Sequence, residues 1–243
     1  MEKQTRIESF WTDQPSNALK NDFIRLANTV FGPFIDDSYY QKKFVDDLYG
    51  PSLVTVAYVD GTPAGADVLW RNDLDGRVAY QTVDTCVLEQ FRGKGLFKRI
   101  TQYELDLLGS ETFVYGFPNG NSYPGYVKMG WLVRHFYKTL CRPPKGAEID
   151  PRYALWWIKA QPGIGRVHRN GHDYLVRKSK STPMATLIGK VDAETAKEFP
   201  ETAGIWLLKH FDTKPSIYNE NRTIPLVCNK MQMEVPYWKI DAI

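Results

Sequence analysis

Apolar residues recur every three or four positions between Asn17 and Phe31, with Leu19, Phe23, Leu26, Ala27 and Val30 on one face. This spacing predicts an amphipathic helix, and Gly32-Pro33 ends it. A short strand is expected before it, from Thr5 to Phe10. A second helix is expected from an N-cap at Ser38, with Tyr40, Phe44, Val45 and Leu48 on one face and Gly50-Pro51 at its end. The period then changes. Leu53 to Val59, Ala64 to Trp70 and Arg77 to Val87 are β-rich, and the turn dipeptides Asp60-Gly61 and Asp75-Gly76 join them into an antiparallel meander.

Helical spacing returns at Leu96, Ile100, Tyr103, Leu107 and Leu108, with Gly109 as the stop. Thr112 to Phe117 is nearly all apolar, as a strand buried on both faces would be. Asn119 to Met129 reads as a short helix or turn, and Trp131 to Cys141 as a long strand. Pro143-Pro144-Lys145-Gly146 marks a break, so a domain over 1–142 and a β-rich extension over 143–243 are expected. In the extension, Tyr174 to Arg177, Ala185 to Lys190 and Gly204 to His210 suggest strands, and Ala193 to Phe199 a short helix. Gly163, Gly165 and Gly171 suggest loops, and Thr223 to Val227 and Met231 to Trp238 would close the sheet.

Composition narrows the class. Hydrophobic residues make up 43% and charged residues 24% of 243, the mix of a soluble globular protein. A net charge of +3 is too small an excess to argue for a nucleic-acid partner. Cys86, Cys141 and Cys228 lie too far apart for a disulfide framework or a Cys-rich metal site, and no metal is expected. No apolar run approaches the ~18 residues of a membrane span. The first residues have no signal-peptide core, so a cytoplasmic setting is expected.

Candidate chemistry concentrates between Val87 and Phe97, where a strand passes through Arg92-Gly93-Lys94-Gly95 directly into a helix. A helix start presents unpaired N–H groups and partial positive charge, which suits a phosphate. Gly93 and Gly95 admit close backbone approach, and Arg92 and Lys94 add charge. A solvated, capping loop fits the same spacing. Neither the dinucleotide-binding glycine pattern nor the P-loop is present.

Arg92-Gly-Lys-Gly-Leu-Phe97 resembles the acetyl-CoA pyrophosphate loop, Q/R-x-x-G-x-G/A, of the GCN5-related N-acetyltransferases. Arg92 and Gly95 match, and Phe97 stands where a small residue is usual. A frame shifted to Gln90, Gly93 and Gly95 also satisfies the pattern. Asn119-Gly-Asn-Ser122-Tyr-Pro-Gly-Tyr126-Val-Lys-Met-Gly130-Trp131 is similar to a second segment of that family, N-x-x-A-x-x-x-Y-x-K-x-G-F. The resemblance covers about the first 141 residues.

The resemblance implies a mixed α/β fold of the acyl-CoA N-acyltransferase type, with acetyl-CoA as co-substrate. Cys86 and Val87 would hold pantetheine, and Arg92, Gly93, Lys94, Gly95, Leu96 and Phe97 the pyrophosphate. Asn119 and Ser122 would also meet the cofactor, although Asn119 fits a helix cap equally well. Tyr126 stands where the family's thiolate-protonating tyrosine lies, and packing in the core is the other reading. Asp84 and Glu89 are candidate bases, with Asp67 on the neighbouring strand. Strand alternation puts Asp84 on the face of Cys86.

The implied reaction is direct transfer of acetyl to a primary amine of a small molecule, such as an amino sugar. The alternatives are a non-catalytic acyl-CoA-binding module and an amino-sugar or aminoacyl transferase of the cell envelope. Four other features read as structural. His168 and His172 suit a surface loop, Cys86 a buried strand position, and Trp70, Trp156 and Trp157 the core. Arg166, His168, Arg169, Arg177, Lys178 and Lys180 suit a solvated basic face.

Overall fold

The computed structural model of the chain describes residues 4–140, 147–179, 182–205, 207–213, 219–230 and 233–239. The expected break at 143–146, together with Cys141, Lys180 and Met231, lies outside the described residues. Contacts divide the chain into two compact units: Met1–Val133 with Val227–Glu234, and Arg134–Leu226 with Val235–Ile243.

The first unit is a sheet with helices on it. Its strands are β1 (Thr5–Trp11), β2 (Leu53–Val59), β3 (Thr62–Arg71), β4 (Ala79–Val87) and β5 (Phe113–Gly116), side by side in that order. Strands β1 to β4 pair antiparallel, and β5 lies parallel to β4. Val227 and Cys228, the end of β11 (Asn219–Cys228), pair antiparallel with β5. The parallel step from β4 to β5 requires a crossover, which is α3 (Leu96–Leu108). Helix α1 (Asn17–Phe31) packs on β2, β3 and β4 through the buried Phe23, Leu26 and Ala27, as the helical spacing predicts.

The structure departs from the sequence pattern in several elements. The second helix begins at Asp36, whose carboxylate accepts the Tyr39 amide at 2.7 Å, rather than at Ser38. It runs as α2 (Asp37–Tyr40) into a π-turn (Gln41–Val45) and stops short of Leu48. Lys43 in that turn is fully buried. On α3, Leu107 is 52% exposed and Glu104 takes its place on the buried face at 1% exposure. The short segment after β5 is a helix, α4 (Tyr123–Lys128), with Pro124 in its first turn, where a proline costs no hydrogen bond.

Strand β4 carries a bulge. Ala66 pairs with Cys86 and Val68 with Val83, so Asp67 stands opposite both Asp84 and Thr85. Asp84 takes a left-handed backbone conformation, with φ of 53°. The extra residue breaks the strand alternation expected to align Asp84 with Cys86.

The second unit holds a sheet in the order β6 (Leu132–Leu140), β10 (Leu207–Asp212), β9 (Met184–Val191), β8 (His172–Lys178) and β7 (Ile164–Arg169). The glycines read as loop markers include Gly165 inside β7, where Val167, Tyr174 and Val176 supply the buried apolar layer. Gly165 is required there, because an added Cβ would meet the Thr202 hydroxyl and lie 2.8 Å from the Pro200 carbonyl. His168 and His172 sit on paired strands flanking the Asn170-Gly171 turn, and His168 Nδ1 lies 3.0 Å from Asp173. The apolar stretch after Asp150 is α5 (Pro151–Trp156) with a 3-10 turn at Ile158–Ala160, and α6 spans Ala193–Lys197. Of Met231 to Trp238, expected to close the sheet, the described residues from Met233 on form no strand and enter a 3-10 turn at Tyr237–Lys239. Among the described residues, no helix is long and apolar enough to cross a membrane.

Candidate active site

The loop between β4 and α3 is shaped by its glycines. Gly93 and Gly95 hold φ of 73° and 76°, a region that costs most other residues roughly 1 kcal/mol or more. Gly95 caps α3, and its carbonyl accepts the Arg99 amide at 3.1 Å as the first helical bond. The amides of the first turn have no partner within the helix and point at the space before it. That space is a cavity of ≈670 Å³, within the ordinary range for a small-molecule site.

The structure brings nine of the ten expected cofactor-contacting residues to this cavity: Cys86, Val87, Arg92, Gly93, Gly95, Leu96, Phe97, Asn119 and Ser122. Lys94 is the exception. Its ammonium donates to the Gln90 carbonyl at 2.7 Å, within the loop itself. Arg92 likewise holds the loop, donating from Nε to the Val87 carbonyl at 3.0 Å, while it also lines the cavity. Two further cations stand on the wall: Lys98, which lies outside both motifs, and Lys128, which occupies the lysine position of the second motif but was not expected to meet the cofactor. The apolar wall at Val30 and Phe31 comes from α1, far away in sequence.

Asn119 lines the cavity and orders the turn before α4, whose N-cap is Ser122. Its Oδ1 accepts the amides of Asn121 and Ser122 at 3.0 and 3.1 Å, which orders the turn into α4. Cys86 is 2% exposed, and burial pushes its thiol up to about 12, so it is no thiolate at neutral pH.

The candidate catalytic residues are distributed differently. Tyr126 is 2% exposed and packs between Phe97 and Trp131, with ring centroids at 4.9 and 4.7 Å. Its hydroxyl lies 2.9 Å from Thr82 Oγ1. Thr82 donates its single proton to Asp67, at 3.0 Å, so Tyr126 is the donor to Thr82. Burial and the nearby Asp67 charge hold the phenol protonated far above neutrality. Asp84 instead accepts from Lys43 Nζ at 3.0 Å, and Tyr39 takes a second bond from that ammonium at 2.9 Å. Glu89 is exposed in the 3-10 turn Glu89–Phe91. None of Tyr126, Asp84 and Glu89 lines the cavity, and Tyr126 lies one layer behind Phe97 and Gly125, which do.

Asp67 is 1% exposed and accepts from Thr82 and, at 2.5 Å, from Thr85, which does line the cavity. Burial raises its carboxyl to about 6. Glu104 on α3 is also raised well above the usual range, first by burial and then by the Asp67 charge.

No family model and no curated protein matches this chain. Solved structures do. A GCN5-related N-acetyltransferase from Kribbella flavida matches at a TM-score of 0.57 and 10% identity, over 93% of this chain and 71% of that one. A probable N-acyltransferase from Enterococcus faecalis matches at 0.59 and 10% identity, over 93% and 72%. The chain has the fold of the GCN5-related N-acetyltransferases. Eis1 from Mycobacterium abscessus shows the likeness again, at 0.52 and 12% identity over 85% of this chain and 65% of that one. The overlap with both of the first two structures takes in 93% of this chain, and so includes residues beyond the first 141.

Proposed function

We propose that this protein is an acyl-CoA-dependent N-acetyltransferase that moves acetyl from acetyl-CoA to a primary amine of a small-molecule acceptor. One observation carries the reading. The ≈670 Å³ cavity joins the α3 N-terminus, the end of β4 and three cationic side chains, Arg92, Lys98 and Lys128. A helix start flanked by cations suits the phosphates of CoA. The adjoining apolar wall of Val87, Phe91, Leu96 and Phe97 suits a pantetheine arm. Tyr126, which keeps its proton at neutral pH and packs behind Phe97 of the cavity wall, is the acid we assign to the departing thiolate. An amino sugar is the acceptor class we place first, and the cytoplasm the setting.

The test is calorimetric titration with acetyl-CoA, with desulfo-CoA and ATP as controls. We expect binding that disappears in Gly95→Glu, which puts a carboxylate and a strained φ at the helix start. Release of free thiol is then followed over amino sugars, amino acids and polyamines. A second reading, a non-catalytic acyl-CoA-binding module, draws on the Tyr126 hydroxyl being committed to Thr82. Binding without thiol release across that panel would favour it.

A further inference from the structure

Behind the cavity wall, between β3 and α3, two carboxyl groups are buried together. Asp67 and Glu104 are each 1% exposed. Neither pairs with a lysine or arginine among the described residues. The Glu104 carboxyl meets that of Asp67 side to side, and no N–H or O–H donor among the described residues serves either Glu104 oxygen, so only a proton held between the two acids satisfies the contact. Two charged carboxylates so placed would carry two unscreened charges in the interior. The titratable neighbours of the pair, Cys86 and Tyr126, are neutral at pH 7, and the Lys43 ammonium is bound to Asp84 and Tyr39. Hydroxyls extend from the pair in two directions. Thr85 donates to Asp67 and reaches the cavity, and Thr82 links Asp67 to Tyr126.

We infer that Asp67 and Glu104 share one proton and exchange it with the cavity through the Thr85 hydroxyl. This rests on the N-acetyltransferase reading for its use. The amine nitrogen bonds to the thioester carbon, and the C–S bond breaks with its electron pair on sulfur. The nitrogen's proton passes to Thr85 Oγ as the Thr85 proton passes to Asp67. At the other end the thiolate takes the Tyr126 proton, the phenolate takes that of Thr82, and Thr82 takes the shared one. The pair ends as it began, with no net proton gained or lost. Asp67 and Glu104 act through the hydroxyls and are positioning residues.

The proton itself is the readout. Infrared spectra of the intact protein at pH 7 should contain a protonated-carboxyl C=O band that the Asp67→Asn/Glu104→Gln double variant lacks. On transfer into D2O the band should shift, at least about tenfold more slowly in Thr85→Val than in wild type, with Thr85→Ser restoring the rate. Melting curves establish that each variant is folded. Absence of the band, or equal exchange in wild type and Thr85→Val, overturns the inference. Neither readout needs acetyl-CoA, so a failed calorimetric titration would overturn the proposed function and leave this result to stand by itself.

Discussion

Phe97 lies directly on Gly125: a Cβ added to Gly125 would come within 2.5 Å of the Phe97 ring. The related loop pattern has a small residue where this chain has Phe97, and the volume is recovered by the missing side chain on α4. The same ring meets Tyr126 edge-on at 4.9 Å, so the pair also sets where the candidate acid sits.

Gly125→Ala should therefore overpack this contact and cost about 1–3 kcal/mol, because Phe97 cannot move without displacing Tyr126. Adding Phe97→Leu should recover part of the loss. Urea unfolding of the single and double variants measures the coupling. Additive losses would mean that the two residues do not share the space.

Removing cations from the cavity should weaken acetyl-CoA without touching stability. Lys98→Ala and Lys128→Ala each delete an exposed charge on the wall. We expect about three- to tenfold weaker binding for each, and a shallower dependence of affinity on salt. Titrations at two ionic strengths decide it, with unchanged melting temperatures as the control.

The buried Lys43–Asp84 pair should be costly to break from one side. Lys43→Met leaves a part-buried carboxylate without its cation and should lose about 3 kcal/mol or more. The double variant Lys43→Met/Asp84→Asn should recover much of that. A double-mutant cycle in denaturant reads the interaction, and zero coupling would show that the pair contributes nothing.

The raised carboxyls set the sign of the pH dependence. Burial raises Asp67 to about 6 in the fold and Asp47 to about 7, both above the ordinary carboxylate range. The folded state then binds more protons than the unfolded state over about pH 4 to 7, so stability falls as pH rises through that window. Asp47→Asn and Glu104→Gln should each flatten the decline, and their melting temperatures should gain on wild type between pH 5 and 8. Parallel curves for wild type and variants would contradict the assignment.

Local rules determined a great deal here. The bounds of α1 and β2 followed from periodicity and turn residues, which act over a few neighbouring positions. The loop that opens α3 was legible for the same reason: its glycines, its charges and the helix it opens are contiguous in sequence, and so is the second motif that orders α4. Only the tertiary structure decided the rest. The bulge at Asp84 depends on pairing with β3, and it turned the leading candidate base toward Lys43. Glu104 sits on the buried face of α3, where an apolar pattern would place Leu107, and it meets Asp67 there from another element. Val227 and Cys228 pair with β5 from more than a hundred residues away. Each of these joins groups that are remote along the chain, and a one-residue change of register or an ion's choice of partner leaves no periodic trace in the sequence.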